Sequence, residues 1–245
     1  MTLKPEHLIV PDWPMPPGVH ALQTTRLGGA SRAPYDSLNL GMHVGDDPLN
    51  VAANRNLLSR YVPSEPVWLE QVHGTTVALA EQAGCAPYAD ACISRSKGAV
   101  CVVMTADCLP ILLCDSAGSI VGAVHAGWRG LAGGVIEATV SAMAVPGADL
   151  MAWLGPAIGQ QAFEVGPEVR DIFLSHDSVA ATAFVEHGDR FLADIYLLAR
   201  QRLQALGISQ IYGNGFCTYT DREQFFSYRR DGRTGRMATM IWLAV

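Results

Sequence analysis

Hydrophobic and polar positions along the chain change period several times. Residues 19–25 carry a strand pattern, and 27–47 (LGGASRAPYDSLNLGMHVGDD) then break into Gly, Pro, Asn and Asp, which excludes regular structure over most of that stretch. So long a loop is more often functional than idle. It ends on Asp46-Asp47-Pro48, a cap with proline in the first helical turn, and apolar residues at helical spacing predict a helix over 51–61. Residues 66–72 and 75–80 read as strands separated at His73-Gly74. The densest apolar stretch follows: 99–105 (AVCVVMT), a short ADCLP break, 111–114, the turn Asp115-Ser116-Ala117-Gly118, and 120–125 (IVGAVH). Three β-rich runs punctuated by turn residues predict an antiparallel meander.

After HAGWRG the spacing predicts a helix over 131–143, then a strand at 151–154, a helix over 167–174 opened by Gly-Pro, and an amphipathic helix over 193–206 stopped by Gly207. Residues 208–216 and 238–243 close the pattern as strands. Antiparallel runs interspersed with helices, without a regular βαβ rhythm, predict an α+β fold. With no repeat, low-complexity tract or long linker, one domain over 1–245 is the simplest organisation.

Composition narrows the chemistry. A chain of 245 residues, 49% hydrophobic and 16% charged, can bury a sizeable core. A net charge of -6 argues against nucleic acid or an anionic membrane as partner, since both need a broad positive field. Small-molecule chemistry is the default. Of the 17 basic residues only Lys4 and Lys97 are lysines, so positive charge sits mainly on guanidinium forks that grip phosphate or carboxylate. The opening segment lacks a basic stretch followed by an apolar run, which predicts a cytoplasmic protein. Its six cysteines (85, 92, 101, 108, 114 and 217) are then expected to be reduced.

If the chain folds back near Ala117, Cys108 lies nine residues before that centre and His125 eight after it, at the same end of a hairpin. Cross-strand neighbours have Cβ atoms roughly 4.5–5.5 Å apart, close enough for a thiolate and an imidazole to share one zinc ion. His73, before Gly74, is the best-placed third ligand, and a Cys-His-His set leaves a fourth position open, as in catalytic zinc. Asp107, beside the cysteine, is a candidate orienter or proton carrier. Taken singly, Cys108 is equally a core thiol and each histidine a satisfied polar residue. H-E-x-x-H, G-x-S-x-G, the P-loop, G-x-G-x-x-G and the cytidine-deaminase pair are all missing, which removes sequence support for those enzyme classes.

Two arginine-bearing loops suit an anion. Arg129, in Gly127-Trp128-Arg129-Gly130, sits at a predicted helix N-terminus, and 227–236 (SYRRDGRTGR) carries four arginines. The second is equally a solvated hairpin tip. From the long loop, Arg26, Asn39 and His43 are candidates to hydrogen-bond a ribose or base. The alternative is an Ω-loop packed by Tyr35, Leu38 and Leu40.

These residues fall in an ordered set of motifs: TTRLGG (24–29), YDSLNLG (35–41), QVHG (71–74), ADA (89–91), TADCLPILL (105–113), AVHAGWRGL (123–131), GPAIG (155–159), FEVGPEV (163–169) and FFSYRRDGRTGRMAT (225–239). Together they cover almost the whole chain and resemble the laccase-domain family, also called YfiH-type or multicopper polyphenol oxidase-like. The resemblance implies a four-layer α/β/β/α sandwich with mixed, largely antiparallel sheets. It implies one zinc on His73, Cys108 and His125, with copper as a possible substitute, and phosphorolysis of adenosine, inosine and methylthioadenosine to base and sugar 1-phosphate. Adenosine deamination is the implied side activity. The implied partners are thus a purine nucleoside and phosphate, the latter met by Arg55, Arg129 and Arg229 or Arg230.

Three alternatives stay open. A copper polyphenol oxidase would need several coppers, whereas the chain has seven scattered histidines. A metal-free hydrolase would use Cys108 with His125 as base. A structural zinc or nucleoside-binding module would turn nothing over.

Overall fold

The uninterrupted apolar runs become strands buried on both faces, and neighbours in sequence end in different sheets. The computed structural model describes residues 3–82, 87–213 and 215–245. In chain order the strands are β1 (Leu8–Ile9), β2 (Val19–Thr24), β3 (Val77–Leu79), β4 (Ala91–Ser94), β5 (Val100–Thr105), β6 (Leu109–Asp115) and β7 (Val121–Ala126). There follow β8 (Leu150–Leu154), β9 (Glu164–Val165), β10 (Phe184–His187), β11 (Arg190–Ala193), β12 (Gln210–Tyr212) and β13 (Met237–Leu243). The helices are α1 (Pro48–Leu58), α2 (Trp128–Gly133), α3 (Val135–Met143), α4 (Pro167–His176), α5 (Ile195–Ala205) and the single turn α6 (Tyr228–Asp231).

One sheet has the order β12-β8-β6-β7-β4-β3, a second β1-β2-β13-β5, and a small third β10-β11-β9. Pairing is antiparallel except for β12 with β8 and β3 with β4. Along β6 the period of two sorts the side chains by layer. Ile111 and Leu113 face Leu131, Ile136, Leu198 and Leu203 of α2, α3 and α5. Leu112 and Cys114 face Cys101, Val103 and Ile241 of the four-stranded sheet. The outer face of that sheet, with Val102, Met104 and Met240, is covered by Leu38, Leu40 and Leu58. The result is an α+β fold of four layers, helix, sheet, sheet, helix. Each large aliphatic side chain so buried contributes about 1.5–3 kcal/mol.

Several expected elements are corrected. The meander fails because β5 pairs with β13, while β6 pairs with β7 and β8. Apolar alternation looks the same for either sheet, and residues 106–108 carry the chain from one to the other through Asp107 at φ 101°. Residues 66–72 make only single bridges, Val67 to Cys101 and Glu70 to Tyr88, because that segment also leaves the four-stranded sheet for the six-stranded one. The helix expected over 131–143 starts at Trp128 and is cut in two by Gly134 at φ 97°, a conformation glycine takes without penalty. The strand over 208–216 shrinks to β12, and β4 and the small sheet were not foreseen. The α1 helix starts at Pro48, with the Asp47 carboxylate accepting from the Leu49 N–H.

Among the described residues no helix is long and apolar enough to cross a membrane. Cys92, Cys101, Cys108, Cys114 and Cys217 are free thiols, and Cys85 lies outside the described residues.

Candidate metal centre and cavity

Both segments that change sheets pass one point, and the three expected ligands meet there. Cys108 ends the 106–108 crossing, His73 lies in the 68–76 crossing, and His125 comes from the end of β7. Their ligand atoms lie within 4.8 Å of one another. Cys108 Sγ is 3.8 Å from His73 Nε2, and the two imidazole rings meet edge-on at 4.8 Å. In the hairpin register His125 faces Pro110, so Cys108 falls just beyond the last pair, two positions from strict opposition to His125. Gly127 gives the site its room. A Cβ there would stand 2.8 Å from His73 Cδ2 and 2.9 Å from Cys108 Sγ, inside van der Waals contact.

The sequence did not single out Asp90, which organises the cluster. Its carboxylate is fully buried. It accepts from His125 Nδ1 at 2.8 Å and from the backbone N–H groups of His73 (2.9 Å), Gly74 (2.7 Å) and Val72 (3.2 Å). One side chain thus fixes the His125 ring with Nε2 toward the cluster and pins the backbone that presents His73, itself at φ 60°. A carboxylate behind a ligating histidine is a recurrent second tier of metal sites. The available signal was an acid between two alanines in ADA, running straight into the apolar Ala91, Cys92 and Ile93, since a buried charge requires partners. Burial alone would raise the Asp90 carboxyl, but the hydrogen bond from His125 and those from Gly74 and Val72 hold it below the ordinary value.

Burial likewise opposes ionisation of Cys108, yet the charge and hydrogen bond of His125, with help from His73, bring its thiol down to about 6. Burial would lower His125, but Cys108 and Asp90 raise it to about 9. The protein therefore favours a thiolate beside an imidazolium, and exchange of that shared proton for a cation leaves one soft and two borderline donors, a set suited to zinc or copper. His73 is exposed and Cys108 half-buried, so the cluster is open on one side.

That side opens into a cavity of about 520 Å³. His43, Asp107, Arg129 and Arg229 line it, as do Trp128, Phe163, Tyr228 and Arg236, which the sequence did not assign. Arg129 lies over the Trp128 ring at 4.3 Å. Arg229 donates to the Glu164 carbonyl at 3.0 Å and lies 5.6 Å from the Phe163 ring. Asp107, expected as an orienter or a proton carrier, lines the cavity without a hydrogen bond to a ligand side chain: its oxygens accept from Thr218 Oγ1 and from the Arg229 N–H, both at 2.6 Å, tying the crossing to the start of α6. The orienting carboxylate is Asp90.

Four expected substrate residues do not line this cavity. Asn39 is fully buried, its amide used by Gly41, Asp46 and the Arg236 N–H. Arg26 donates to Asp36 and the Arg222 carbonyl and stacks on Phe226. Arg55 donates twice to the Leu40 carbonyl and lies 3.8 Å from the Trp68 ring. Arg230 pairs with Asp231 and donates to three carbonyls. Tyr35, Leu38 and Leu40 are buried, so the long loop is packed as an Ω-loop, and of it only His43 reaches the cavity.

Comparison with known proteins agrees with this architecture. Residues 20–244 match the family described as multi-copper polyphenol oxidoreductase laccase, and the chain belongs to that family. It is 58% identical over 239 residues to the purine nucleoside phosphorylase YfiH of Escherichia coli (strain K12), covering 96% of this chain and 98% of that protein. It is 54% identical over 237 residues to the purine nucleoside phosphorylase PA4543 of Pseudomonas aeruginosa, with the same coverage. Among solved structures, Neisseria meningitidis protein NMB0706 superposes with a TM-score of 0.95 at 51% identity, covering 98% of this chain and all of that one.

Proposed function

We propose that the chain is a cytoplasmic, zinc-dependent purine nucleoside phosphorylase. Its substrates are adenosine, inosine and methylthioadenosine, with adenosine deamination as a side activity. The observation that carries this is a Cys-His-His cluster opening into a nucleoside-sized cavity walled by aromatic rings and arginines, in a chain whose relatives are named purine nucleoside phosphorylases. The thiolate of Cys108 and the imidazoles of His73 and His125 would hold the metal, and Asp90 would keep His125 in the tautomer that presents Nε2. When bound, the metal supplies Lewis acidity at the cavity wall.

The chain's own residues account for the rest. Trp128, Phe163 and Tyr228 offer ring faces and edges to a purine. Arg129 and Arg229 offer guanidinium forks to phosphate, which must attack the ribose carbon from the face opposite the departing base. Met104, Ile158 and Ile195 add apolar wall to the cavity, which strengthens charge interactions made beside them. The family's description names copper chemistry, but the Cys-His-His cluster is the only group of three such donors close enough for a metal among the described residues, too few for several coppers. A nucleoside panel incubated with and without phosphate, with products identified by mass and metal content measured on the same protein, tests the proposal. Phosphate-dependent release of free base with about one zinc per chain supports it. Phenol oxidation with copper, or turnover without metal, refutes it.

A further inference from the structure

Arg236 differs from the other arginines in what surrounds it. Arg26, Arg202 and Arg230 each meet a carboxylate, at 3.3, 2.8 and 2.7 Å. Arg236 is half-buried and meets none among the described residues. Its Nη1 donates to the carbonyls of Thr234 (3.1 Å) and Gly235 (3.0 Å), which leaves Nε and Nη2 without an acceptor among the described residues. Arg55, Arg200 and Arg229 also end on carbonyls; of these only Arg229 shares with Arg236 the cavity that holds Cys108 and His125, and Arg229 is exposed where Arg236 is half-buried. A guanidinium taken out of water without a counter-charge is costly, and an anion offsets that cost.

The placement is built rather than incidental. The Arg236 N–H donates to Asn39 Oδ1 at 2.9 Å, and its carbonyl accepts from the Leu40 N–H at 3.1 Å. Gly41 clears the way for the side chain, since a Cβ there would stand 2.8 Å from Arg236 Cγ. Asn39 is held in turn by Asp46 and Asn54. The long Ω-loop is therefore the cradle of one arginine. Beside it Thr105, which pairs with Met237 in the strand register, also borders the cavity. Its hydroxyl is buried and has no hydrogen-bond partner.

We infer that Arg236, with the Thr105 hydroxyl beside it, forms an inner oxyanion subsite next to the Cys-His-His cluster, and that this subsite holds the attacking phosphate. The subsite deepens the phosphorolytic assignment and rests on it for the identity of the anion. Arg129 and Arg229, exposed at the same cavity, then meet that phosphate from its outer side.

The test is titration calorimetry of inorganic phosphate into the metal-loaded protein, paired with steady-state KM values for phosphate and for inosine. It uses wild type, Arg236→Gln, Arg236→Lys and Thr105→Val. Arg236→Gln should weaken phosphate binding at least about tenfold and raise phosphate KM in parallel, with inosine KM within about twofold. Arg236→Lys should recover part of the loss, because charge remains but the fork is gone. Thr105→Val should weaken phosphate several-fold at unchanged metal content. If Arg236→Gln does not fold, the lysine and valine variants decide, and phosphate affinity within twofold of wild type in both overturns the subsite. Phosphorolysis by wild type with phosphate KM unmoved in every variant also overturns it and leaves the assigned reaction standing. Phosphate binding that depends on Arg236, in a protein that phosphorolyses no nucleoside, supports the subsite and rejects the reaction.

Discussion

Replacing Asp90 by asparagine changes one atom's hydrogen-bonding sense at the most connected point of the site. Oδ1 accepts from His125 Nδ1 and the His73 N–H, and Oδ2 accepts from the Gly74 and Val72 N–H groups. An amide has one acceptor oxygen, so in either orientation its NH₂ group faces two donors whose hydrogen bonds are buried or part-buried. A fully buried donor left unsatisfied costs about 1–3 kcal/mol and a part-buried one less, so the variant should lose about 1–3 kcal/mol of stability. Loss of the carboxylate behind His125 should separately weaken metal binding by about 10–100-fold. Urea unfolding of the metal-free protein measures the first quantity, and competition with a chromophoric chelator measures the second. An Asp90→Asn protein within about 0.5 kcal/mol of wild-type stability and about threefold of wild-type zinc affinity would refute the role argued for this carboxylate.

Other expectations follow from the same geometry. In the metal-free protein Cys108 should be alkylated with an apparent pKa near 6, measured as rate against pH. The lowered thiol pKa contributes stability that is complete above the ordinary value and lost as pH falls through about 6. The raised His125 pKa contributes stability that is complete below the ordinary value and lost as pH rises through about 9. Between about 6 and about 9 the two slopes oppose each other, so the metal-free melting temperature should stay nearly level across that window, and Cys108→Ala should expose the His125 contribution as a fall with rising pH. Gly127→Ala places a methyl group against two ligands and should cut zinc content well below one per chain, read by elemental analysis. Arg129→Ala should raise phosphate KM by about tenfold, roughly 1.4 kcal/mol, and leave deamination nearly intact; equal losses in both reactions would make it a nucleoside or scaffold residue. Arg26→Ala should lower the melting temperature while leaving kcat and KM within about twofold.

How far the sequence could be read depends on whether each question was local. The β6–β7 hairpin was legible because its turn at Asp115 to Gly118 fixes the fold-back, and counting outward brought Cys108 and His125 to one end with an error of two positions. The destination of β5 was not legible, since Cys101 and Val103 carry the same alternation in either sheet. Gly, Pro and Asn correctly excluded regular structure from the long loop. The same composition could not show that backbone groups inside the loop would consume the Asn39 amide, or that Arg26 and Arg55 would end on carbonyls. Arginine content marked the right segment at 227–236, but which forks turn inward is decided by the cap of α6 and the pairing of β13. Hence Arg229 and Arg236 reach the cavity, while Arg230 turns away. Asp90 escaped because its partners lie 16 to 35 residues distant, and only folding makes them one network.

The two crossings that deliver His73 and Cys108 also make the cluster a gauge of how the sheets sit on each other. Each crossing is anchored at one end in the four-stranded sheet and at the other in the six-stranded sheet, so a change in the spacing between them is transmitted to the ligands. The filling between the sheets includes Leu112, Cys114, Val103 and Ile241, none of which touches the cavity. Enlarging or trimming those side chains should retune metal affinity from a distance. Substitutions that look, residue by residue, like neutral repacking between the sheets would thus reach the ligands of this chain.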